Sequence, residues 1–288
     1  MSLGEDGALS VEAAWELIHR ADAVILDIDG VVCIGGDLVP GVGAAIEALV
    51  ASHVELLFAT NDSRRDLDGQ RQRLAPALPE AYDPLILTAA QALSETAVKA
   101  GHRSVRLWGP PAVAAQLEVA GIEVDGPHPT ALVTGAVPDG QRPSDPPAGC
   151  VELLAAGADW LATNADASVP GPDGRIPDAG AVIDELVERT GRRPHVCGKP
   201  DHAMSRLVAR HWGTQVRVLV VGDRVDSDVT WAKAAGWSSI LVAGEHQPPP
   251  ASATKGVAGG AGEDVVPDIT IPSLAALAGD TAATRRGR

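Results

Sequence analysis

The chain is predicted to be α/β, with a Rossmann-like core on a parallel sheet and a smaller α/β unit inserted into it. Three observations lead there. Apolar runs of strand length alternate with helical periodicity along the 288 residues, a pattern that favours βα units and parallel pairing. Two of those runs, Ala23-Val24-Ile25-Leu26 and Val218-Leu219-Val220-Val221, stand near opposite ends of the chain and both finish in acids. Between Pro84 and Pro194 the alternation continues but its texture changes, as an insertion between two halves of one sheet would.

The elements follow in order. Val11 to Arg20 is an amphipathic helix with Trp15 and Ile18 on its apolar side, and Ala23–Asp27 is the first strand. Pro40-Gly41 opens a helix to about Ala51; because Pro40-Gly41-Val42-Gly43 follows no strand directly, it is a helix entrance and not a dinucleotide fingerprint. A strand over Val54–Thr60 leads to Asn61 or Asp62, either of which can cap a polar helix through Arg64 to Leu74. In the insertion, helices are expected near Ala89–Ala100, Pro111–Ala120, Pro147–Ala156 and Ala179–Thr190. Strands are expected at Ser104–Trp108, Ala131–Thr134 and Asp159–Thr163, and Val137–Gly149 as a loop over or beside the site. The core resumes at Gly198-Lys199-Pro200 with a helix to His211, a strand over Arg217–Asp223, a helix to Ala235 and a strand over Ser239–Val242. Gln247–Asp264, rich in proline and small residues, is read as a flexible loop. Asp268–Ile271 is read as an edge strand before a short helix, and Thr281–Arg288 as a frayed end. The expected division is a discontinuous core of residues 1–83 and 195–276, an insert of 84–194, and a tail of 277–288.

Composition narrows the function. With 45% apolar and 21% charged residues the chain can bury an ordinary core. The net charge of −15 argues against nucleic acid and anionic membranes as partners. Three cysteines in no paired spacing read as reduced thiols, Met1–Ser10 has no signal-peptide pattern, and no apolar stretch is long enough to span a membrane. The expected location is the cytoplasm.

Two acids and a glycine after a buried strand, Asp27-Ile28-Asp29-Gly30, put carboxylates at the carboxyl edge of a sheet, where open α/β folds bind ligands. Such a pair suits phosphate-ester hydrolysis: Asp27 as in-line nucleophile, Asp29 as the acid/base that serves the leaving alkoxide and then water. Thr60, at a strand end before a helix start, and Lys199 can meet phosphate oxygens. Asp223 is placed to ligate a divalent cation and Asp228 to complete or brace its shell; oxygen-only ligands favour Mg²⁺.

These segments, with Val31, Phe58-Ala59-Thr60-Asn61, Gly198-Lys199-Pro200 and Gly222-Asp223-Arg224-Val225-Asp226-Ser227-Asp228, resemble the four motifs of the haloacid dehalogenase superfamily in their order. The insert, with Ala162-Thr163-Asn164-Ala165-Asp166, Pro170, Gly174, Pro177 and Thr190-Gly191-Arg192, resembles the cap of its NagD-like subgroup. The resemblance implies an Mg²⁺-dependent phosphatase of small phosphate monoesters, working through an aspartyl-phosphate. Asp27, Asp29, Thr60 and Lys199 would be catalytic, and Asp27, the Asp29 carbonyl, Asp223 and Asp228 would form the metal site. It suggests glycerol phosphate, phosphoglycolate, sugar phosphates, nucleoside monophosphates or pyridoxal phosphate as substrate, and a homodimer paired through the cap. Asp29 disfavours dehalogenation, since dehalogenases of the superfamily lack that second acid.

Asn61, Asp62, Arg64, Asn164 and Asp166 are the candidate substrate-binding residues. Asp62 departs from the subgroup's second asparagine and would repel an anion unless it turns away, and Cys33-Ile34-Gly35-Gly36 replaces a commonly aromatic segment. Asn164 and Asp166 read equally as a turn into Pro170-Gly171. Arg64 and Arg65 read as a solvated helix face from which Arg64 could reach a leaving group, and Asp226 as solvated. His195 reads as structural, and the six tryptophans as packing residues. A phosphomutase sharing the nucleophile and a phosphate-responsive signalling module are the rivals to hydrolysis.

Overall fold

The computed structural model describes residues 5–171, 174–244 and 265–280. Six parallel strands form the core sheet in the order Ile269–Ile271, Ser238–Val242, Val218–Gly222, Ala23–Asp27, Glu55–Thr60, Leu85–Thr88. From Ala23–Asp27 the chain builds outward to one side and only later, after the insert, to the other. The strand order therefore reverses beside Ala23–Asp27, which is paired with Val218–Gly222 in the register Leu26↔Val221. Such a reversal leaves a crevice outside the carboxyl strand ends. Asp27 and Asp223 both stand on its rim.

Both faces of this sheet are covered, so its strands are apolar without alternation. Val24, Leu26, Phe58 and Val221 face helices Glu5–Arg20, Val42–Ala51 and the short helix Leu274–Asp280; Ile25, Leu57 and Val220 face the opposite way. The second cluster runs on without a break into the insert through Val105, Val133 and Leu161. Helix Ala89–Lys99, started by a capping box of Thr88 and Gln91, packs into it. The insert is a five-stranded parallel sheet in the order His195–Val196, Asp159–Ala162, Ala131–Thr134, Ser104–Trp108, Glu123–Val124. Trp108, Leu132, Trp160 and Leu186 fill its far side.

Several expectations are corrected. Leu85–Thr88 belongs to the core sheet, pairing with Leu57–Thr60, and His195–Val196 to the insert's sheet, so breaks at 84 and 195 miss the sheet boundaries. A four-residue apolar run behind Pro84 is too short to show a period. The helix expected from Asn61 or Asp62 begins at Leu67 and is capped by Asp66, whose side chain accepts from the Gly69 N–H, because Asp62 is engaged elsewhere. Two small hairpins stand where no strand is expected, Cys33–Ile34 with Asp37–Leu38 and Ser168–Gly171 with Gly174–Pro177, the second where a turn into Pro170-Gly171 is one reading. The loop before Gly149 does not line the site. Gln141 accepts from the Trp108 indole at 3.2 Å and the Ser144 carbonyl accepts from Arg189 at 2.7 Å, which draws it onto the insert's far face. Leu277 is fully buried, so the tail does not begin there. The expected loop 247–264 and the end 281–288 lie outside the described residues.

Candidate active site

Asp27 ends the central strand, buried, and its Oδ1 accepts from Lys199 Nζ at 2.6 Å. The same ammonium donates to Asp228 Oδ1 at 2.7 Å and to the Ala59 carbonyl at 3.2 Å. Asp223 completes a group of three buried acids, with Asp27 and Asp228, whose oxygens lie within 4.8 Å of one another. Two glycines allow this crowding. A Cβ on Gly30, at φ +99°, would stand 2.1 Å from Asp223 Oδ2, and one on Gly222 would stand 2.2 Å from Asp228 Cβ.

The electrostatics follow from the burial. Desolvation pushes Asp27 well above the usual carboxylate range, Lys199 opposes this, and Asp228, Asp223 and Asp29 add to it. Burial and the neighbouring Asp228 push Asp223 up to about 7. Lys199 is held protonated: burial acts against the charge, but Asp228 and Asp27 outweigh it. Asp223 Oδ1 is buried with no hydrogen-bond partner among the described residues. A lone buried acceptor in a cluster of acids has the chemistry of a hard cation's ligand. The residues present therefore fit Mg²⁺.

Asp29, two residues beyond Asp27, sits at the mouth. Its Oδ2 accepts from Thr60 Oγ1 at 3.0 Å, and its Oδ1 faces Arg73 Nη2 at 2.7 Å. Lys199 owes its place to Asn61. The Asn61 carboxamide accepts from the Lys199 N–H at 2.9 Å and donates to the Lys199 carbonyl at 3.1 Å. Asn164 in turn donates to the Asn61 carbonyl at 2.9 Å and accepts from the Asp166 N–H at 2.9 Å.

Two family models match the chain: "Haloacid dehalogenase-like hydrolase" over residues 24–123 and "HAD-hydrolase-like" over residues 196–275. The chain belongs to the haloacid dehalogenase-like hydrolases. It is 28% identical over 222 residues to a dihydroxyacetone phosphatase of Corynebacterium glutamicum, covering 76% of this chain and 79% of the relative. A solved structure described as a putative NagD protein superposes with a TM-score of 0.74 at 26% identity, over 88% of this chain and 96% of that one. A glycerol phosphate phosphatase of Mycobacterium tuberculosis, solved in complex with magnesium, superposes with a TM-score of 0.67 at 28% identity, over 79% and 69%.

In this hydrolase a cleft of about 270 Å³ opens from Asp27, Asp29, Asp223 and Lys199 toward the cap. Asn61, Asp62, Arg64 and Asp166 line it, with Val169 and Ile176 of the cap hairpin. Asn164 does not: it is 0% exposed and both ends of its amide are used, so the expected substrate contact is corrected to a strut under Asn61. The Asp62 carboxylate is taken up by its neighbours. Its Oδ1 accepts from the Arg64 N–H at 2.9 Å, and its Oδ2 from Arg65 at 2.8 Å and from Gln70 at 3.1 Å. Arg64 is no solvated face. It donates to the Pro177 carbonyl at 2.7 Å and lies 3.3 Å from Asp178, tying core to cap.

Three charged residues of the cleft were missed by sequence reasoning. Asp178 caps helix Ala179–Thr190, and burial, against the pull of Arg64, pushes it up to about 7. Arg224 grips Asp226 at 2.7 Å and Asp166 at 3.4 Å, so Asp226 is paired and not merely solvated; burial raises Asp166 against the pull of Arg224. Arg73 is the third. Its only signal in sequence was a cation on the last turn of the helix after the second motif.

Proposed function

We propose that the protein hydrolyses small phosphate monoesters with Mg²⁺ in two steps through a phosphorylated Asp27. The observation that carries this reading is the clustering of Asp27, Asp223 and Asp228 at the switch in strand order, with the buried Lys199 ammonium donating to Asp27 and Asp228. In the first step an Asp27 oxygen attacks phosphorus, the ester P–O bond breaks, and Asp29 gives a proton to the departing alkoxide. In the second, Asp29 takes a proton from water, whose oxygen attacks the phosphorus and restores Asp27. Thr60 and Lys199 hold the phosphoryl oxygens. Asp27, the Asp29 carbonyl and Asp223, with Asp228 in support, would hold Mg²⁺, which would supply the charge that lets a carboxylate approach a phosphate.

A cleft of about 270 Å³ favours a small ester over a nucleoside monophosphate or pyridoxal phosphate. Asp166 and Asp178 on the cap wall, paired with Arg224 and Arg64, offer hydrogen-bond acceptors suited to hydroxyls. Glycerol phosphate and dihydroxyacetone phosphate, named in the relatives' descriptions, are the substrates proposed.

The test is phosphate release from a panel of phosphorylated metabolites, with Mg²⁺ and with chelator. Metal-dependent release from three-carbon esters is expected. Asp27→Asn should keep the fold and lower turnover by at least roughly a thousand-fold; retained activity would remove the mechanism. Cytoplasmic residence is proposed with it, supported by three free, buried cysteines, and among the described residues no helix is long and apolar enough to cross a membrane. A homodimer paired through the cap is proposed on the subgroup resemblance, and a purely monomeric species in sedimentation would remove it.

A further inference from the structure

Arg73 lies on helix Leu67–Leu74 among Asp68, Arg71 and Gln72, in a stretch that reads as a solvated face. Its side chain is nevertheless only 8% exposed, and its partner is Asp29, at 2.7 Å. Its Nε and Nη1 find no hydrogen-bond acceptor among the described residues. Burying a guanidinium on a single partner is costly, and an apolar side chain of similar volume would fill the place with less penalty. A residue kept there at that cost points to the carboxylate it holds.

The two oxygens of Asp29 are held by different kinds of donor. Arg73 grips Oδ1, whereas Oδ2 accepts the single hydrogen of the Thr60 hydroxyl, which itself accepts from the Asp62 N–H at 2.8 Å. A hydroxyl donates once. When Thr60 turns its hydrogen to a phosphoryl oxygen, Oδ2 loses its donor while Oδ1 stays fixed.

We propose that Arg73 is the positioning residue for Asp29: it pins Oδ1 so that Oδ2, released by Thr60, is the oxygen that passes the proton to the leaving alkoxide and takes it back from water. The proposal rests on the assignment of Asp29 as acid/base made above. Arg73 acts through Asp29 and does not touch the reacting atoms. The phosphorus chemistry is unchanged: the ester P–O bond breaks, the bond to Asp27 forms, and the proton on Oδ2 leaves with the alkoxide.

The experiment compares two esters on the full chain with Mg²⁺. Glycerol phosphate releases an alkoxide that needs a proton; 4-nitrophenyl phosphate releases a phenolate that does not. The value of kcat/KM reports the steps through the first phosphoryl transfer. Arg73→Met should lower it about thirty-fold for glycerol phosphate and less than about three-fold for the aryl ester, with Arg73→Lys recovering most of the loss. Equal losses on both esters with a raised KM would make Arg73 a phosphate ligand and overturn the proposal, as would no change on either. Asp29→Asn is the reference: if it turns over glycerol phosphate normally, the acid/base assignment itself fails, without any Arg73 variant being consulted. If Arg73→Met does not fold, Arg73→Gln serves, because the ratio between esters is read within one preparation.

Discussion

On the core wall of the cleft, Asp27 and Asp228 share Lys199, a cation whose backbone is held by Asn61 of the core. On the cap wall, Asp166 and Asp178 are answered by Arg224 and Arg64, which belong to the core. The core wall is therefore self-sufficient in charge apart from the cation it is shaped to hold. The cap wall is balanced only while the cap sits on the core. The acids of the cap are thus neutralised across the cleft by residues of the core.

Breaking the core wall should have the largest effect. Lys199→Met leaves Asp27 and Asp228 buried without their ammonium; turnover should fall by at least roughly a thousand-fold, and stability by about 3–5 kcal/mol, read from urea midpoints without Mg²⁺. Breaking the cap wall should cost less. Arg64→Ala removes the cation facing Asp178 and a donor to Pro177, for about 1–3 kcal/mol in the same measurement. Adding Asp178→Asn should return part of that loss, since the carboxylate left unpaired is gone; additive losses would mean that the pair is not coupled.

The smallest effect sharpens the contrast. Asp178 is pushed from 3.8 up to about 7. Between those values the folded protein holds a proton there that the unfolded chain has shed. Its stabilising contribution is thus present at low pH and lost as pH rises through about 7. Asp178→Asn should flatten the fall of Tm between about pH 4 and 7 by a few degrees; an unchanged slope would assign the fall to the other buried acids.

Much of this was legible in sequence where chemistry and strand ends coincide. Asp27, Thr60 and Asp223 end or follow apolar runs of one parallel sheet, so their meeting place follows from its topology, whereas Lys199 is set by Asn61 and Asp228 by the turn after Asp223. Asp62 shows where that logic stops. Its side chain is claimed by Arg65 and Gln70, three and eight residues on, and only the folded turn reveals it. Arg73 carried no signal beyond its place on a polar helix, because helical position says nothing about which neighbouring loop will meet it. The cap hairpin hid behind Pro170 and Gly171, residues that signal a turn and carry no period-two pattern.

Asn61 takes both hydrogen bonds of the Lys199 backbone, and Asn164 of the cap holds Asn61. The unit that looks detachable is thus spliced into the catalytic end of the fold. A chimaera carrying a foreign cap has to bring its own counterpart of Asn164, or the borrowed specificity arrives with a displaced lysine. In this chain, exchange of the cap is therefore constrained at one buried amide, that of Asn164 beneath Asn61.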